Sequence, residues 1–357
     1  MHSVSPLYAV AELQAHEHRS NHAFAEAAGS AEQAAEIALR DGDSASWWNM
    51  TFLQAENLLD AERFEDCAAL AATLVADGTK APNTRDHART FILLAKAQQG
   101  AGMLEQAAES ARVAAGLTAD ELDVEVNVKA RQALIATLAD GGKLAEAWQE
   151  SRALAGVISD DVDDQLAGKA YWVVGNVAFL CDNVEDGLRY HELAASTFSP
   201  TKNLDVWAKF NKASAAMRLA ANVADADTLR CIERAELATD VIGGSENDLL
   251  LLRRNRAHWS YLAGDAKSAV VLLEEIRATP GYVSPQVMGD ICVLLGRAYL
   301  ASGEKTSARD ALLEAVALFD GAEAPDRAQQ ARDFLKAELG RESFRSWLLR
   351  VTGFDRN

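Results

Sequence analysis

Apolar residues recur along most of the chain at the three- and four-residue spacing of amphipathic helices. The clearest example runs from Val283 to Gly321, where two such segments meet at a tight turn that contains Gly303. Small residues at Gly296 and Ala308 would let two antiparallel helices pack closely, and Tyr299 would fill the space beside them. This stretch therefore predicts a helix hairpin, and much of the remaining chain reads as imperfect copies of it.

The small residue near the start of the second helix recurs at a regular spacing. The series is Cys67, Ala107, Ala147, Gly187, Ala269 and Ala308. Its first four members are equally spaced, the interval before Ala269 is about two periods long, and the interval before Ala308 is again about one period. The residue five positions earlier, which suits a helix end that reverses direction, is Gly102, Gly142, Asp182, Gly264 and Gly303. This regularity predicts a helical repeat array.

Prolines and the less regular segments complete the predicted layout. Four prolines fall between units and a fifth suits the first turn of a helix; they are Pro82, Pro200, Pro280, Pro325 and Pro285. Before the regular units we expect a helix from about Pro6 to Ala28, a turn at Gly29-Ser30 and a helix to Arg40, with Gly29–Ala34 matching Gly102–Ala107. In the irregular unit between residues 201 and 244, we expect helices over Asn203–Ala221 and Ala226–Ile242. After Gly321 we expect two shorter helices, Asp326–Leu339 and Glu342–Val351. The second has an apolar side of Phe344, Trp347, Leu348 and Val351, which suits a cap over the last repeat or a partner contact.

Composition narrows the class of protein. The chain has 357 residues, a formal net charge of −18, only 6 prolines, and four widely spaced cysteines that read as buried reduced thiols. The negative charge argues against non-specific binding to nucleic acid or to an anionic membrane. No signal peptide and no apolar run long enough to span a membrane is evident, so a cytoplasmic location is expected.

Catalytic motifs are absent from the sequence. It contains no Gly-rich phosphate loop, no HExxH, no GxSxG and no CxxC pair. His18 and His22 are four positions apart and would share a helix face, but no further ligand lies nearby in sequence. We therefore expect no enzyme activity, no catalytic residue, no metal site and no cofactor.

The hairpin pattern resembles the tetratricopeptide repeat. The resemblance is strongest in the last unit, through Leu295, Gly296, Tyr299, Ala308 and Ala315, and it covers roughly residues 15–320. It implies an all-α protein: an α-solenoid of about seven to eight helix hairpins in a right-handed superhelix with C-terminal capping helices. We expect a single domain over residues 1–357. Residues 1–41 would form a divergent first repeat, 42–321 the repeats of about 40 residues each, and 322–357 the capping helices.

In tetratricopeptide arrays the first helix of each pair lines a concave groove. In this chain the groove-facing residues of each first helix would lie 18, 15, 11 and 8 positions before the small residue. It gathers basic, amide and aromatic side chains that suit an extended peptide with acidic groups or a free carboxylate. The candidate groove residues are Arg89, Lys96, Lys129, Gln132, Lys169, Trp172, Asn176, Trp207, Asn211, Arg254, His258 and Arg297. Trp207 and Asn211 are included because they repeat the spacing of Trp172 and Asn176. The alternative is that these are ordinary solvated or packed positions, with Trp172 in the core.

Two further cations, Arg253 and Arg256, should point away from the groove and neutralise a neighbouring acidic helix.

The long units are similar to the sensor domains of bacterial peptide-responsive transcriptional regulators. In that family a concave groove binds a short signalling peptide, often through asparagines, and Asn176 and then Asn211 best fit that role. Those regulators usually carry a helix-turn-helix domain, for which this chain has no room before its first repeat. It would be either a sensor-only protein or the repeat part of a longer regulator.

Two functions remain open at this point. The first is a non-enzymatic binding protein whose groove holds a peptide or an extended partner segment, with no direct contact to nucleic acid or membrane. The second is an assembly scaffold or chaperone that uses its convex face or its C-terminal helix, with a homodimer through the terminal helices as one form.

Overall fold

The computed structural model describes residues 5–76, 83–118, 123–158, 162–279 and 281–351. This part of the chain contains helices α1 to α17 and no strand. The first ten helices are α1 Pro6–Ser20, α2 Phe24–Arg40, α3 Ser44–Asp60, α4 Phe64–Ala76, α5 Thr84–Gly100, α6 Leu104–Leu117, α7 Val124–Asp140, α8 Leu144–Val157, α9 Asp164–Leu180 and α10 Val184–Thr197. The remaining helices are α11 Leu204–Ala220, α12 Ala226–Ile242, α13 Glu246–Leu262, α14 Ala266–Arg277, α15 Pro285–Ala301, α16 Lys305–Gly321 and α17 Pro325–Val351. Consecutive helices pair into eight antiparallel hairpins, so the all-α solenoid class is confirmed.

A polar cap fixes the start of the first helix in seven successive hairpins. Each cap side chain accepts a hydrogen bond from a backbone N–H two or three positions ahead, which satisfies a donor that the helix itself leaves free. The caps are Asp43, Asn83, Asp123, Asp163, Asn203, Ser245 and Ser284. Each of the seven helices that follow is 17 residues long. The predicted repeat period is therefore set by a constant helix length and a repeated cap.

A residue in the left-handed conformation closes every hairpin. At the third turn, the N–H of Gly102 donates to the carbonyl of Gln99 at 3.0 Å and that of Met103 to the carbonyl of Gln98 at 2.8 Å. The closing residues, all with φ between +57° and +90°, are His22, Glu62, Gly102, Gly142, Asp182, Asn222, Gly264 and Gly303. The first six are equally spaced, at the same period as the small residues, so the repeat register extends to the start of the described chain.

The first hairpin differs from its prediction. Its turn lies at His22, between α1 and α2, and Gly29 and Ser30 lie inside α2. The proposed match of Gly29–Ala34 to Gly102–Ala107 is therefore wrong. His22 does not continue the helix of His18, because its φ of 58° ends the helical path. The two imidazoles consequently do not share a helix face.

Close helix packing depends on the small residues that defined the repeat. A Cβ atom placed on Gly296 would lie 2.7 Å from Leu312 Cγ, and one on Gly187 would lie 2.8 Å from the ring of Phe179. Ala308 is fully buried, and its carbonyl oxygen would lie 3.4 Å from the same Cβ atom on Gly296. These contacts confirm that the small positions let the two helices of a hairpin approach each other.

The irregular unit is a regular hairpin. Its helices, α11 and α12, agree with the predicted bounds within about a residue, and Asn222 takes the left-handed turn position that lacks glycine. The helix α12 begins later after its turn than the other second helices do, and its small buried residue is Cys231, whose spacing to buried Ala235 and Ala238 is that of Ala107 to Ala111 and Ala114. That delay explains the gap in the sequence series.

The C-terminal segment forms one helix, α17, where two were predicted. Gly340 does not break it, because a glycine inside a helix costs only about 1 kcal/mol relative to alanine. Its first half packs on α16 through buried Ala328 and Ala331, as a capping helix does. The predicted apolar side of Phe344, Trp347, Leu348 and Val351 lies outside the described side chains.

The chain divides into two compact units, Met1–Thr197 and Phe198–Asn357. The first unit holds α1 to α10 and the second holds α11 to α17. Buried alanine and leucine side chains between successive hairpins form the core of each unit. None of the helices in the described ranges combines the length and the apolar content that a membrane span requires.

Candidate functional site

Three lysines from three successive hairpins surround one cleft in the first unit. Its walls come from the first helices α5, α7 and α9, which pack side by side. The cleft has a volume of about 590 Å³. Its lining residues are Lys96, Val124, Glu125, Lys129, Gln132, Val162, Asp163, Gln165, Leu166 and Lys169. We call it the lysine cleft. It brings together four of the predicted groove residues.

The positive charges of the lysine cleft interact with one another. The Lys96 side chain keeps some exposure to solvent, but the surrounding protein removes part of its water, and this desolvation lowers the pKa of its ammonium group. The charges of Lys129 and Lys169 lower it further. Lys129 pairs with Glu125 one helical turn away. Within the described residues neither Lys96 nor Lys169 has a carboxylate within ion-pair distance. The residue one helical turn before Lys169 is Gln165, and the charges of Glu56 and Asp60 oppose the lowering of the pKa of Lys96.

The lysine cleft also contains unused hydrogen-bonding capacity. The side-chain Nε2 atoms of Gln132 and Gln165 are buried and have no acceptor among the residues that the structure describes. A buried amide donor without a partner costs roughly 1–3 kcal/mol. A ligand that offers carbonyl or carboxylate oxygens to these donors would remove that cost.

The two acidic groups in the lining are already engaged. Glu125 is paired with Lys129, and the Asp163 carboxylate accepts from the backbone N–H of Gln165 at 2.9 Å and of Leu166 at 3.2 Å. Val124 and Val162 add apolar wall. The cleft thus presents free cations, amide donors and apolar carbon to a ligand.

The other predicted residues of the first unit lie outside this lining. The Arg89 guanidinium contacts Asp86 at 3.2 Å and stacks 4.5 Å above the ring of Phe52. Trp172 is half-buried on α9. Asn176 Oδ1 lies 3.1 Å from Nε2 of His191 on α10, so this amide oxygen is engaged within its own hairpin.

The assignment of Trp207 and Asn211 to the groove stripe is wrong in register. Because α9 begins at Asp164 and α11 at Leu204, Trp172 corresponds to Lys212 and Asn176 to Ala216. Asn211 is buried, and its Nδ2 donates to the carbonyl of Trp207 at 2.8 Å.

The stripe position of α11 instead holds two cations that the sequence interpretation missed. Lys209 pairs with Asp205 at 2.8 Å, and Lys212 pairs with Asp248. The equal spacing of Lys129, Lys169 and Lys209 was the signal that could have found the first of them.

Three of the predicted residues in the second unit line a separate cleft. Arg254, His258 and Arg297 line a space of about 370 Å³ between α13, α15, α16 and α17, which we call the arginine cleft. Their neighbours Arg253 and Arg256 point elsewhere, to Glu275 and Glu236 on the adjacent second helices. Both cations thus point away from the cleft, as expected, and each pairs with a carboxylate of a different helix.

Burial shifts the pKa of two cysteine thiols, and the described residues that could bind metal are scattered. Burial raises the pKa of Cys67 and of Cys292 to about 12, so thiolate is scarce at neutral pH. In the described ranges, no three His, Cys, Asp or Glu side chains are grouped closely enough to hold a metal ion.

No protein-family model matches the sequence, and no curated protein matches it. Solved structures with the same fold do match. The apo quorum sensor NprR from B. thuringiensis aligns with a TM-score of 0.64 at 10% identity, over 89% of each chain. Aspartyl phosphate phosphatase F from Bacillus subtilis aligns with 0.57 at 12% identity, over 81% of this chain and 75% of that one. The Rap conjugation gene regulator of plasmid pLS20, in complex with the Phr* peptide, aligns with 0.52 at 12% identity, over 85% and 76%. These proteins share the fold of this chain, which is that of the tetratricopeptide α-solenoids.

Proposed function

We propose that this protein is a non-enzymatic binding protein whose lysine cleft holds an extended peptide segment with acidic side chains or a free carboxylate. The observation that carries the proposal is the convergence of Lys96, Lys129 and Lys169 on one cleft in a chain of net charge −18. Three like charges are kept close together at a cost in repulsion. The attraction of the three lysines to an anionic ligand would offset that repulsion.

Each part of the cleft has a role in this proposal. Lys96 and Lys169, which have no carboxylate partner among the described residues, would bind the ligand's negative groups. The amide donors of Gln132 and Gln165 would bind carbonyl oxygens of the peptide backbone, which any sequence provides. The apolar wall would contact the side chains between the acidic ones.

The fold comparisons support a peptide as the ligand class. One structure with this fold is a Rap regulator in complex with the Phr* peptide, and another is named a quorum sensor. In its more specific form, the proposal is that the chain is the sensor part of a regulator and that peptide binding controls the regulator's activity.

The test measures binding of a fluorescein-labelled peptide of Glu-Gly-Ser repeats by fluorescence anisotropy. The Lys96→Ala/Lys169→Ala double variant is compared with Lys143→Ala/Lys267→Ala, which removes two exposed lysines outside the lining. We expect the cleft variant to lose at least about tenfold in affinity, because hydrogen bonds to charged groups contribute roughly 1.5–3 kcal/mol each. The control should bind like the native protein, and affinity should fall as salt rises.

Three results would count against the proposal. These are an equal loss in the control pair, equally tight binding of a Lys-Gly-Ser peptide, and tighter binding of a single-stranded RNA oligonucleotide. Native mass spectrometry of the protein purified from its host would then identify any retained ligand directly.

An assembly scaffold is the second candidate, and one observation favours it. The terminal helix α1 exposes Leu7, Val10 and Leu13, each more than half accessible to solvent. A homodimer through this helix would cover them. Light scattering should then give twice the chain mass for the native protein and a single chain for the Leu7→Glu/Leu13→Glu variant.

A further inference from the structure

The arginine cleft of the second unit is built from four helices. Arg254 and His258 come from α13, Asp290 and Arg297 from α15, and Arg327 from α17. Its apolar wall comes from Val293 and Leu294 of α15, Phe319 of α16, and Ala331 and Phe334 of α17. Its volume of about 370 Å³ is at the lower end of the range for sites that enclose a small molecule.

Two of the three arginines in this cleft form no ion pair with a carboxylate of the described residues. Arg327 pairs with Asp290 at 2.6 Å. Arg254 and Arg297 have no carboxylate within ion-pair distance in the described part of the chain. The Arg297 guanidinium lies 5.1 Å from the ring centroid of Phe334, so the ring fixes its orientation without neutralising it.

We propose that the arginine cleft binds a small molecule that joins a carboxylate or phosphate to an apolar group. Arg254 and Arg297 would bind the anionic group through their planar guanidinium donors. Phe334, Phe319 and Val293 would contact the apolar part. Arg254, His258 and Arg297, which the sequence placed in a peptide groove, are thereby assigned to a site of their own.

Electrostatics supports this assignment. Burial lowers the pKa of Arg254, and the nearby Arg327 lowers it further, while Asp290 acts in the opposite direction. The protein therefore holds a cation in a place that disfavours it, and a bound anion would offset that cost. Burial, with the charges of Arg254 and Arg297, lowers the pKa of His258 to about 4, so its imidazole is neutral at pH 7 and adds a polar contact without more charge.

The proposal is independent of the peptide proposal, because its residues belong to α13, α15, α16 and α17 rather than to α5, α7 and α9. Loss of one site by mutation should leave binding at the other unchanged. Failure of either proposal can thus be recognised separately.

The experiment is isothermal titration of the native protein with phenyl phosphate, with inorganic phosphate and with benzyl alcohol. We expect phenyl phosphate to bind more tightly than either, because only it fills both halves of the cleft. Arg254→Met and Arg297→Met should each weaken phenyl phosphate at least about tenfold. Arg253→Met is the matched control, since this neighbouring arginine pairs with Glu275 outside the cleft and should change the affinity by less than about twofold.

A further variant separates the two halves of the site. Phe334→Ala should weaken phenyl phosphate and leave inorganic phosphate unchanged. Arg297 is exposed at its side chain, so Arg297→Met tests the proposal even if Arg254→Met fails to fold. The proposal is overturned if the native protein does not bind phenyl phosphate at about 1 mM, a weak affinity for a small molecule, or if Arg253→Met weakens it as much as Arg297→Met does.

Discussion

The Nε2 atom of buried His191 lies 3.1 Å from the Oδ1 atom of Asn176, across the α9–α10 hairpin. Gly175 makes this contact possible, since a Cβ atom there would lie 2.3 Å from the imidazole Cδ2. The asparagine that best fitted a peptide-binding role thus helps to hold its own hairpin together.

Replacing Asn176 should therefore affect stability. Asn176→Ala leaves buried His191 with one partner fewer, and we expect the free energy of unfolding in urea to fall by roughly 1–3 kcal/mol. Asn49→Ala, an exposed asparagine on the corresponding face of α3, should change it by less than about 0.5 kcal/mol. If Asn176→Ala unfolds like the native protein but loses peptide affinity, the structural role is wrong.

Lys96 should cost the unliganded protein stability. Lys96→Met keeps most of the aliphatic stem and removes a charge that burial, and then the charges of Lys129 and Lys169, disfavour, so the midpoint of thermal unfolding should rise. The folded-state pKa lies below the ordinary 10.5, so the unfolded chain binds more protons between those values. Native stability should gain with rising pH in that window through this group, and the variant should lack that gain. A lower unfolding midpoint for Lys96→Met at pH 7 would contradict the prediction.

His258 should make the second unit sensitive to acid. Its pKa is about 4 in the folded protein against an ordinary 6.5, so the unfolded chain binds more protons between these values. Stability is then lost as pH falls from 6.5 to 4, by roughly 1–3 kcal/mol. Urea unfolding across this range should show a smaller loss for His258→Gln.

The groups that face His258 must stay in place for that comparison. These are Arg254 on its own helix, and Arg297, Asp290 and Arg327 on the packed helices. Exposed His16 provides the control, because His16→Gln should keep the native pH dependence. Equal acid sensitivity in all three proteins would show that His258 is not the source.

Two glycines should respond in opposite directions to the same substitution. Gly296→Ala would place a Cβ 2.7 Å from Leu312 Cγ, and we expect a loss of about 1–3 kcal/mol. Gly29 lies inside α2 with nothing within 4 Å of the added atom, so Gly29→Ala should stabilise by roughly 0.5–1 kcal/mol. Chemical denaturation of both variants checks the sign, and a stabilising Gly296→Ala would contradict the packing described for the hairpins.

The repeat could be predicted because its signals are chemical necessities that recur. Hairpin turns need a left-handed residue, and close helix pairs need a small one, so Gly102 and Ala107 mark the pattern. The first turn was not predicted because it holds His22 instead of a glycine, and only a few per cent of non-glycine residues adopt the left-handed conformation. The turn was instead predicted at Gly29, although a helix tolerates one glycine when its neighbours are buried alanines.

The candidate site was less predictable for a different reason. The periodic pattern predicts the face of each helix, which placed Lys96, Lys129, Gln132 and Lys169 together. It could not show which side chains are already engaged. Asn176 is bound to His191, and the apparent match of Trp207 to Trp172 came from local spacing, whereas the cap at Asn203 sets the helix start. Partner assignments depend on neighbouring elements that no local pattern records.

Lys129 and Lys169 occupy the same position on neighbouring helices, and this determines which peptides the lysine cleft could bind. Adjacent packed helices lie about 8–10 Å apart, while an extended peptide advances about 3.3 Å per residue. One helix spacing therefore matches about three residues of ligand. A peptide bound across α7 and α9 would contact a lysine at about every third residue. The cleft would therefore select the spacing between acidic residues in the ligand rather than any single side chain.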